Sequence, residues 1–518
     1  MAQQYDAVVL GSGAAGLTAA LTLHSRGAAV ALIEADEVLG GTSAIGGGNL
    51  WIPGNAAMAR AGHVDEPASA LAYLRRVSGP GPRSANARAF VDIGARLVDF
   101  VESHSALRFG SIPRHDYHPT WAGAGFGRSL EPDPFAAGQL LSDRAAWFRT
   151  NPTRAPLTYV EYRQSIDTEL VAWRRSQDVR TQGAALVAGL GHACLTSGVD
   201  VIKGSPVIAA TRRADGDYSV ELADERTLRT PALVIATGGF AGSRRLRRAF
   251  LPSVEFEVLS AGRGQGDGLR FGLDCGAALF GIGDGWLGAT HSPGDGRPTS
   301  LVVRELALPG SMLVNADGRR FVNEALGYND VGKGMLAFDP ARGSYHCANA
   351  WLVFDAAFRA KHAVLGVSPD GSPPTSWKQA GDLTGLSRDM ALPPGELERA
   401  VERMNEAAQS GIDREFNRGG DQHQRFNGDS GHLPNPCLGS LSTPPFFAAP
   451  IRPGLCNTKG GLDVDSRARV LNRQGNPIPG LYAVGDVAAT IMGYGYAGAG
   501  ASLGPAMTFG MLAAESIT

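Results

Sequence analysis

Four consecutive apolar residues, Ala7-Val8-Val9-Leu10, run straight into the glycine turn Gly11-Ser12-Gly13-Ala14-Ala15-Gly16. An alanine-rich stretch follows to about Gly27, and Ala28 to Glu34 is a second apolar run ending in an acid. This reads as strand, helix and strand, the βαβ unit that binds dinucleotides. Each residue type has a reason at its place. Gly11 makes the turn, Gly13 lets a pyrophosphate approach the backbone, and Gly16 lets the helix pack on the strand. The helix N-terminus at Ala14 and Ala15 offers N–H donors to phosphate, and Glu34 can bind ribose hydroxyls.

Three more pieces extend the unit. Gly40-Gly41-Thr42-Ser43 and Gly46-Gly47-Gly48-Asn49 follow the second strand directly. Ala232 to Phe240 reads as a strand ending in Ala236-Thr237-Gly238-Gly239, and Gly480 to Asp486 as a strand ending in Gly485-Asp486. In kind and order these resemble the flavin-lining segment, the ATGG turn and the GLYAxG(D/E/N) strand of flavoproteins related to fumarate reductase. The resemblance implies non-covalent FAD, touched by Gly41, Thr42, Ser43, Gly47, Gly48, Ala236, Thr237, Gly238, Asp267, Gly485, Asp486, Ser502 and Leu503. It also implies an α/β fold: a Rossmann-like FAD-binding domain, discontinuous over residues 1–275 and 446–518, with an α+β substrate and catalytic domain inserted at 276–445. The glycine- and proline-rich run from Gly419 to Pro445 closes the insert.

Composition narrows the class. At 518 residues the chain is too long for one core, so two or three domains are expected. A net charge of −2 with both signs abundant gives no basic field for nucleic acid. The five cysteines are scattered without a CxxC pair, which argues against disulfides, iron–sulfur and zinc, and for a reducing compartment. No metal is expected. The N-terminus runs straight into a strand with no basic n-region and no cleavage site, so no secretory signal is expected. No apolar run reaches ~18 residues, so no integral membrane segment is expected. Residues 86–106 read as an amphipathic helix that packs on the core. A cytoplasmic location is expected, with peripheral membrane association left open.

The chemistry is carried by tyrosines. Gly318 to Tyr328 (GRRFVNEALGY) resembles the GxRFxNE segment of the same flavoproteins, whose dicarboxylate reductases place an acid/base arginine where Tyr328 stands. Gly493 to Gly510 (GYGYAGAGASLGPAMTFG) resembles the YPGxGxxxGPAMTFG ending of the FAD-dependent 3-ketosteroid Δ1-dehydrogenases. Asp116-Tyr117-His118-Pro119 with Gly127 to Pro132 (GRSLEP) resembles a further stretch of that family. The resemblance implies that Tyr328 is the catalytic base, that Tyr117 supports it, and that the Tyr496 hydroxyl and Gly500 N–H hold the substrate carbonyl. Ala497 departs from the usual proline and is expected to loosen that turn. The dicarboxylate reductases also carry an arginine at the position of Ala497 and a histidine at that of Asn457. A dianion without these partners is very costly to bind.

Removing a hydrogen pair beside a ketone needs loss of an α-proton and then of a hydride. Two donors that hold the carbonyl oxygen make the proton acidic, and a phenolate has the basicity to take it. The expected reaction is 1,2-desaturation of a 3-ketosteroid, with the electrons passed on to a quinone or a redox protein. The alternative is a smaller cyclic ketone of the cyclohexanone type. Gly498 disfavours the C4–C5 desaturating relatives, which have serine there. The missing arginines disfavour enoate reduction, and the tyrosines disfavour a flavin-binding module without catalysis. Three features carry less weight. Gly428-Asp429-Ser430-Gly431 looks like a serine-protease loop without the rest of that fold. His115 and His118 bracket Tyr117 without a third metal ligand. Arg244, Arg245, Arg247 and Arg248 read as a solvated helix face.

Overall fold

The N-terminal apolar run forms the strand Ala7–Leu10, with all four residues buried. It pairs in parallel with Val30–Ile33 on one side and Ala232–Ile235 on the other. Asp200–Ile202 and Pro477–Ala483 extend the sheet in parallel, and Arg469–Leu471 closes one edge antiparallel. The structure is a computed structural model that describes residues 3–79, 83–163, 166–262 and 264–518. Three of its parallel neighbours are the pieces that the sequence placed at positions 7, 232 and 480. This unit is thus assembled from segments far apart in the chain.

Strands apolar on every residue need cover on both faces. On one face the helix Ala14–Ser25 packs against Gln182–Ser197 and the C-terminal helix Leu503–Ile517. The crossing is close because it uses small residues: a Cβ on Gly510 would stand 2.6 Å from the Ala15 carbonyl oxygen. On the other face a small sheet supplies Tyr218, Val220 and Leu228, which share a core with Val8, Leu10, Leu233 and Ile235. The expected amphipathic helix is Ser84–His104, and it buries Phe90, Leu97, Val98 and Val101. Among the described residues no helix is long and apolar enough to cross a membrane.

The second unit is an antiparallel sheet around the 13-residue strand Phe446–Thr458. Gly285–His291 and Ala350–Asp355 flank it, with Ser300–Leu301 and Ser311–Val314 outside them. Alternate residues face opposite ways. Leu313, Leu352, Phe354 and Phe447 fill one core, while Met312, Val314, Val353 and Ala448 meet Leu397, Val401 and Met404 of the helix Glu396–Ser410 in the other. By hydrogen bonding, the second sheet therefore extends to Thr458, past the glycine- and proline-rich run.

Candidate active site

A cleft opens at the C-terminal ends of the parallel strands, where doubly wound folds bind ligands. It is lined by Gly11, Gly13, Ala14, Ala15, Glu34, Gly41, Thr42, Ser43, Ala236, Thr237, Gly238, Asp267, Gly485, Asp486, Ser502 and Leu503. Gly16, Gly47 and Gly48 stand outside the lining. Gly16 has a packing role, since a Cβ there would lie 2.0 Å from the Gly11 carbonyl oxygen. Gly48 has φ +67°, and a Cβ there would strike the backbone of Gln182 at 2.3 Å. Ser12 lines the cleft as well, and its N–H and hydroxyl both donate to the Glu34 carboxylate, fixing that acid at the strand end.

The lining suits FAD. Gly11, at φ +102°, lies so close to Ala236 that a Cβ would overlap its carbonyl, so only bare backbone fits between the two strands. The hydroxyls of Thr237 and Ser260 line the cleft, are buried and have no protein partner, as expected of groups that bond a polar ligand. The 15-residue helix Leu503–Ile517 begins at the cleft and directs the positive end of its dipole into it.

A clamp in the second unit positions Tyr328. Arg320 donates to both oxygens of Glu324 and both of Asp413 at 2.8–3.1 Å, with these side chains all but buried. Arg418 lies 3.4 Å from Glu324 and donates to the carbonyls of Ser311 and Leu308. Asn323 donates to the Phe416 carbonyl and to Gln424. Arg320 and Asn323 of the GRRFVNE motif thus tie the loop before Tyr328 to the segment 413–424. Tyr328 then opens the helix Tyr328–Met335. Gly327 just before it leaves room for Tyr117, whose Cδ2 a Cβ would approach at 2.4 Å.

Tyr117 comes from the other unit. Its neighbour Asp116 is held by Trp51, the Gly125 N–H and Arg128 at 2.7–2.8 Å. The Tyr117 N–H donates to the Ala497 carbonyl, which also accepts from the Tyr73 hydroxyl. Ala497 is fully buried, so two donors secure the turn expected to be loose without proline. Gly500 follows at φ +96°, where a Cβ would lie 2.5 Å from the backbone of Asn49 and Leu50. Only glycine can bring its N–H to this place.

The three tyrosine rings meet. Tyr117 and Tyr496 stack at 5.5 Å, Tyr328 and Tyr496 are tilted at 5.2 Å, and Tyr117 and Tyr328 meet edge-on at 6.3 Å. The Tyr496 ring also meets Trp286 at 5.2 Å. The Trp286 indole N–H donates to Asp486, whose second oxygen accepts from Asn457. Asp486 lines the cleft, so this chain of contacts joins the tyrosines to it. Burial raises the Asp486 carboxyl to about 6 against these two donors.

Burial also sets the phenols. It lifts Tyr328 well above the ordinary phenol range, and the neighbouring Tyr496, Cys456 and Tyr117 add to the rise. Tyr496 is raised by burial and held back by Tyr328, Ser502 and the Gly500 N–H. Tyr117 is raised by burial, with the Arg114 guanidinium opposing. At neutral pH, therefore, all three are neutral hydrogen-bond donors.

The bracketing histidines do other work. His115 packs edge-on against Phe126 at 4.9 Å, and His118 stacks on Trp121 at 3.8 Å, its pKa lowered to about 4 by burial and then by Arg76. Asp429 of the GDSG turn accepts from Lys361 and from the Gly431 N–H. Sequence reasoning passed over Trp286, Arg114 and His423. The His423 ring lies 4.5 Å from Tyr117, and burial holds it neutral.

Residues 6–503 match the family described as FAD binding domain. The chain is 33% identical to a 3-oxosteroid 1-dehydrogenase of Mycobacterium tuberculosis over 99% of this chain and 98% of that one. It is 36% identical to a 4-oxocyclohexanecarboxylate 2-dehydrogenase of Sinomonas cyclohexanicum over 99% and 92%. A solved structure of 3-ketosteroid delta1-dehydrogenase from Sterolibacterium denitrificans, in complex with 1,4-androstadiene-3,17-dione, superposes with a TM-score of 0.93 at 31% identity, covering 99% of both chains.

Proposed function

The chain belongs to the family of FAD-dependent 3-ketosteroid Δ1-dehydrogenases, and from that premise we propose that it desaturates the α,β-bond of a ring ketone. The observation that carries this reading is the convergence of Tyr117, Tyr328, Tyr496 and Gly500, drawn from both units, beside the FAD cleft. FAD, when bound, supplies the acceptor for the hydride lost from the β-carbon.

The protein's own residues handle the ketone and the proton. The Tyr496 hydroxyl and Gly500 N–H donate to the ketone oxygen and stabilise it as it becomes an enolate, a donor of this kind contributing ~2.7–4 kcal/mol. Tyr328, once it has lost its own proton to solvent, takes the α-proton onto its phenolate oxygen; this form is the minor one at neutral pH. The Tyr117 hydroxyl stands by to stabilise that phenolate. Tyr117 and Tyr496 are buried and Tyr328 is half-buried against them, so their hydrogen bonds act in a medium of lower dielectric constant than water. In a 3-ketosteroid the carbons are C2 for the proton and C1 for the hydride. That substrate is supported by the names of the relatives in Mycobacterium tuberculosis and Sterolibacterium denitrificans. A second reading is a smaller carboxylated ring ketone, the substrate class named for the Sinomonas relative and favoured by the buried cation Arg114.

Anaerobic titration of the holoenzyme with 4-androstene-3,17-dione, cyclohexanone or 4-oxocyclohexanecarboxylate tests the reaction class. At least one ketone should bleach the flavin. Bleaching by none of them, with reoxidation of the reduced flavin by fumarate, overturns the reading.

A further inference from the structure

We infer that Arg114 binds a carboxylate carried by the substrate, so that the preferred substrate is a small ring ketone with an acid group across the ring; this rests on the desaturation reading above. Arg114 is only 4% exposed. Its guanidinium packs 5.0 Å from the Tyr117 ring centroid, 5.4 Å from Tyr159 and 5.3 Å from Phe426. It donates to the Tyr159 hydroxyl at 2.9 Å and faces His423 Nδ1 at 3.2 Å, and its Nε–H has no partner.

Among the described residues no carboxylate pairs with this cation. Other deeply buried arginines each have an acid: Arg128 has Asp65 and Asp116, Arg320 has Glu324 and Asp413, and Arg418 has Glu324. Asp116, two residues from Arg114, is already committed to Arg128 and Trp51. His423 is neutral and cannot balance the charge. Arg163, 3.8 Å over the same Phe426 ring, adds a second positive charge nearby.

A lone buried cation is costly, and one beside the site that receives substrate is relieved by an anion on that substrate. A neutral ketone gives Arg114 nothing to bind. In an oxocyclohexane the two ends of the ring lie roughly 6–7 Å apart by bond lengths, so a carboxylate opposite the ketone points away from Tyr496 and Gly500 by about the width of one aromatic ring. Arg114 lies 5.0 Å from the Tyr117 ring, which itself stacks on Tyr496 at 5.5 Å, so the cation is one ring away from the donors proposed for the ketone. The guanidinium fork suits a planar carboxylate.

The test compares 4-oxocyclohexanecarboxylate with its methyl ester and with cyclohexanone, in the wild-type holoenzyme and in Arg114→Met and Arg114→Lys. The wild type should favour the acid over the ester by about 10- to 100-fold in kcat/KM, as expected for hydrogen bonds to a charged group. Arg114→Met should erase that preference, mainly through KM, and Arg114→Lys should restore part of it. Equal losses on acid and ester would mean that Arg114 only supports Tyr117, and would overturn the inference. If the variants lose flavin, inhibition of the wild type by cyclohexanecarboxylate and by its amide decides: stronger inhibition by the acid supports the inference, and equal inhibition overturns it. Bleaching by a steroid or cyclohexanone with the keto acid inert overturns this inference alone. Silence from every ketone overturns the desaturation reading and this inference with it.

Discussion

At the scale of single residues the proposed site brings three phenols from distant segments together. Tyr496→Phe removes one of the two donors proposed for the ketone oxygen and should lower kcat by about 10²–10³-fold with FAD retained, measured by steady-state assay. The raised pKa of Tyr328 sets a pH dependence with a definite sign. Its reactive form is the phenolate, and below a pKa lying above ~10 the phenolate fraction grows about tenfold per pH unit. Log kcat/KM should thus climb with pH from neutrality to about 10, and a plateau reached below about pH 8 would exclude a buried phenol as the titrating base. Tyr328, Tyr496 and Tyr117 were legible in the sequence because each stands in a motif. Arg114, Trp286 and His423 were not, because their importance lies in contacts between distant segments. Nothing near position 114 in the sequence tells that its charge goes unpaired.

At the scale of elements the clamp around Arg320 is the main device. Arg320→Ala removes the cation shared by buried Glu324 and Asp413, leaving Glu324 only Arg418 at 3.4 Å, and should cost about 3–5 kcal/mol in chemical denaturation. It should also release the loop that carries Tyr328. The motif showed these residues in sequence as a marker of the family. Its role as a tether needed Asp413 and Gln424, which lie about a hundred residues on. The parallel strands were legible for the opposite reason: burial on both faces demands unbroken apolar runs such as Ala7–Leu10 and Ala232–Ile235. The strand Phe446–Thr458 was harder to read. Its proline and glycine at Pro450, Pro453 and Gly454 look like loop residues, yet it runs through the middle of the second sheet.

At the scale of the whole molecule, the cleft proposed for FAD lies where the strands at positions 7, 232 and 477 end side by side, so binding there should stabilise all three segments together. At about a thousandfold excess of FAD over its Kd the gain should approach ~4.1 kcal/mol, read as a higher Tm for holo than for deflavinated protein. Equal Tm values would place the cofactor outside this framework. The proposed active site draws Tyr328 from the second unit and Tyr117, Tyr496 and Gly500 from the first, so its chemistry would depend on their packing as much as on either fold.

The most direct test of the central claim is anaerobic flavin bleaching by the best ketone substrate in Tyr328→Phe. The variant should bind FAD with the wild-type spectrum and bleach at least about 10²–10⁴-fold more slowly, the contribution expected of a general base. Bleaching at the wild-type rate would contradict the account.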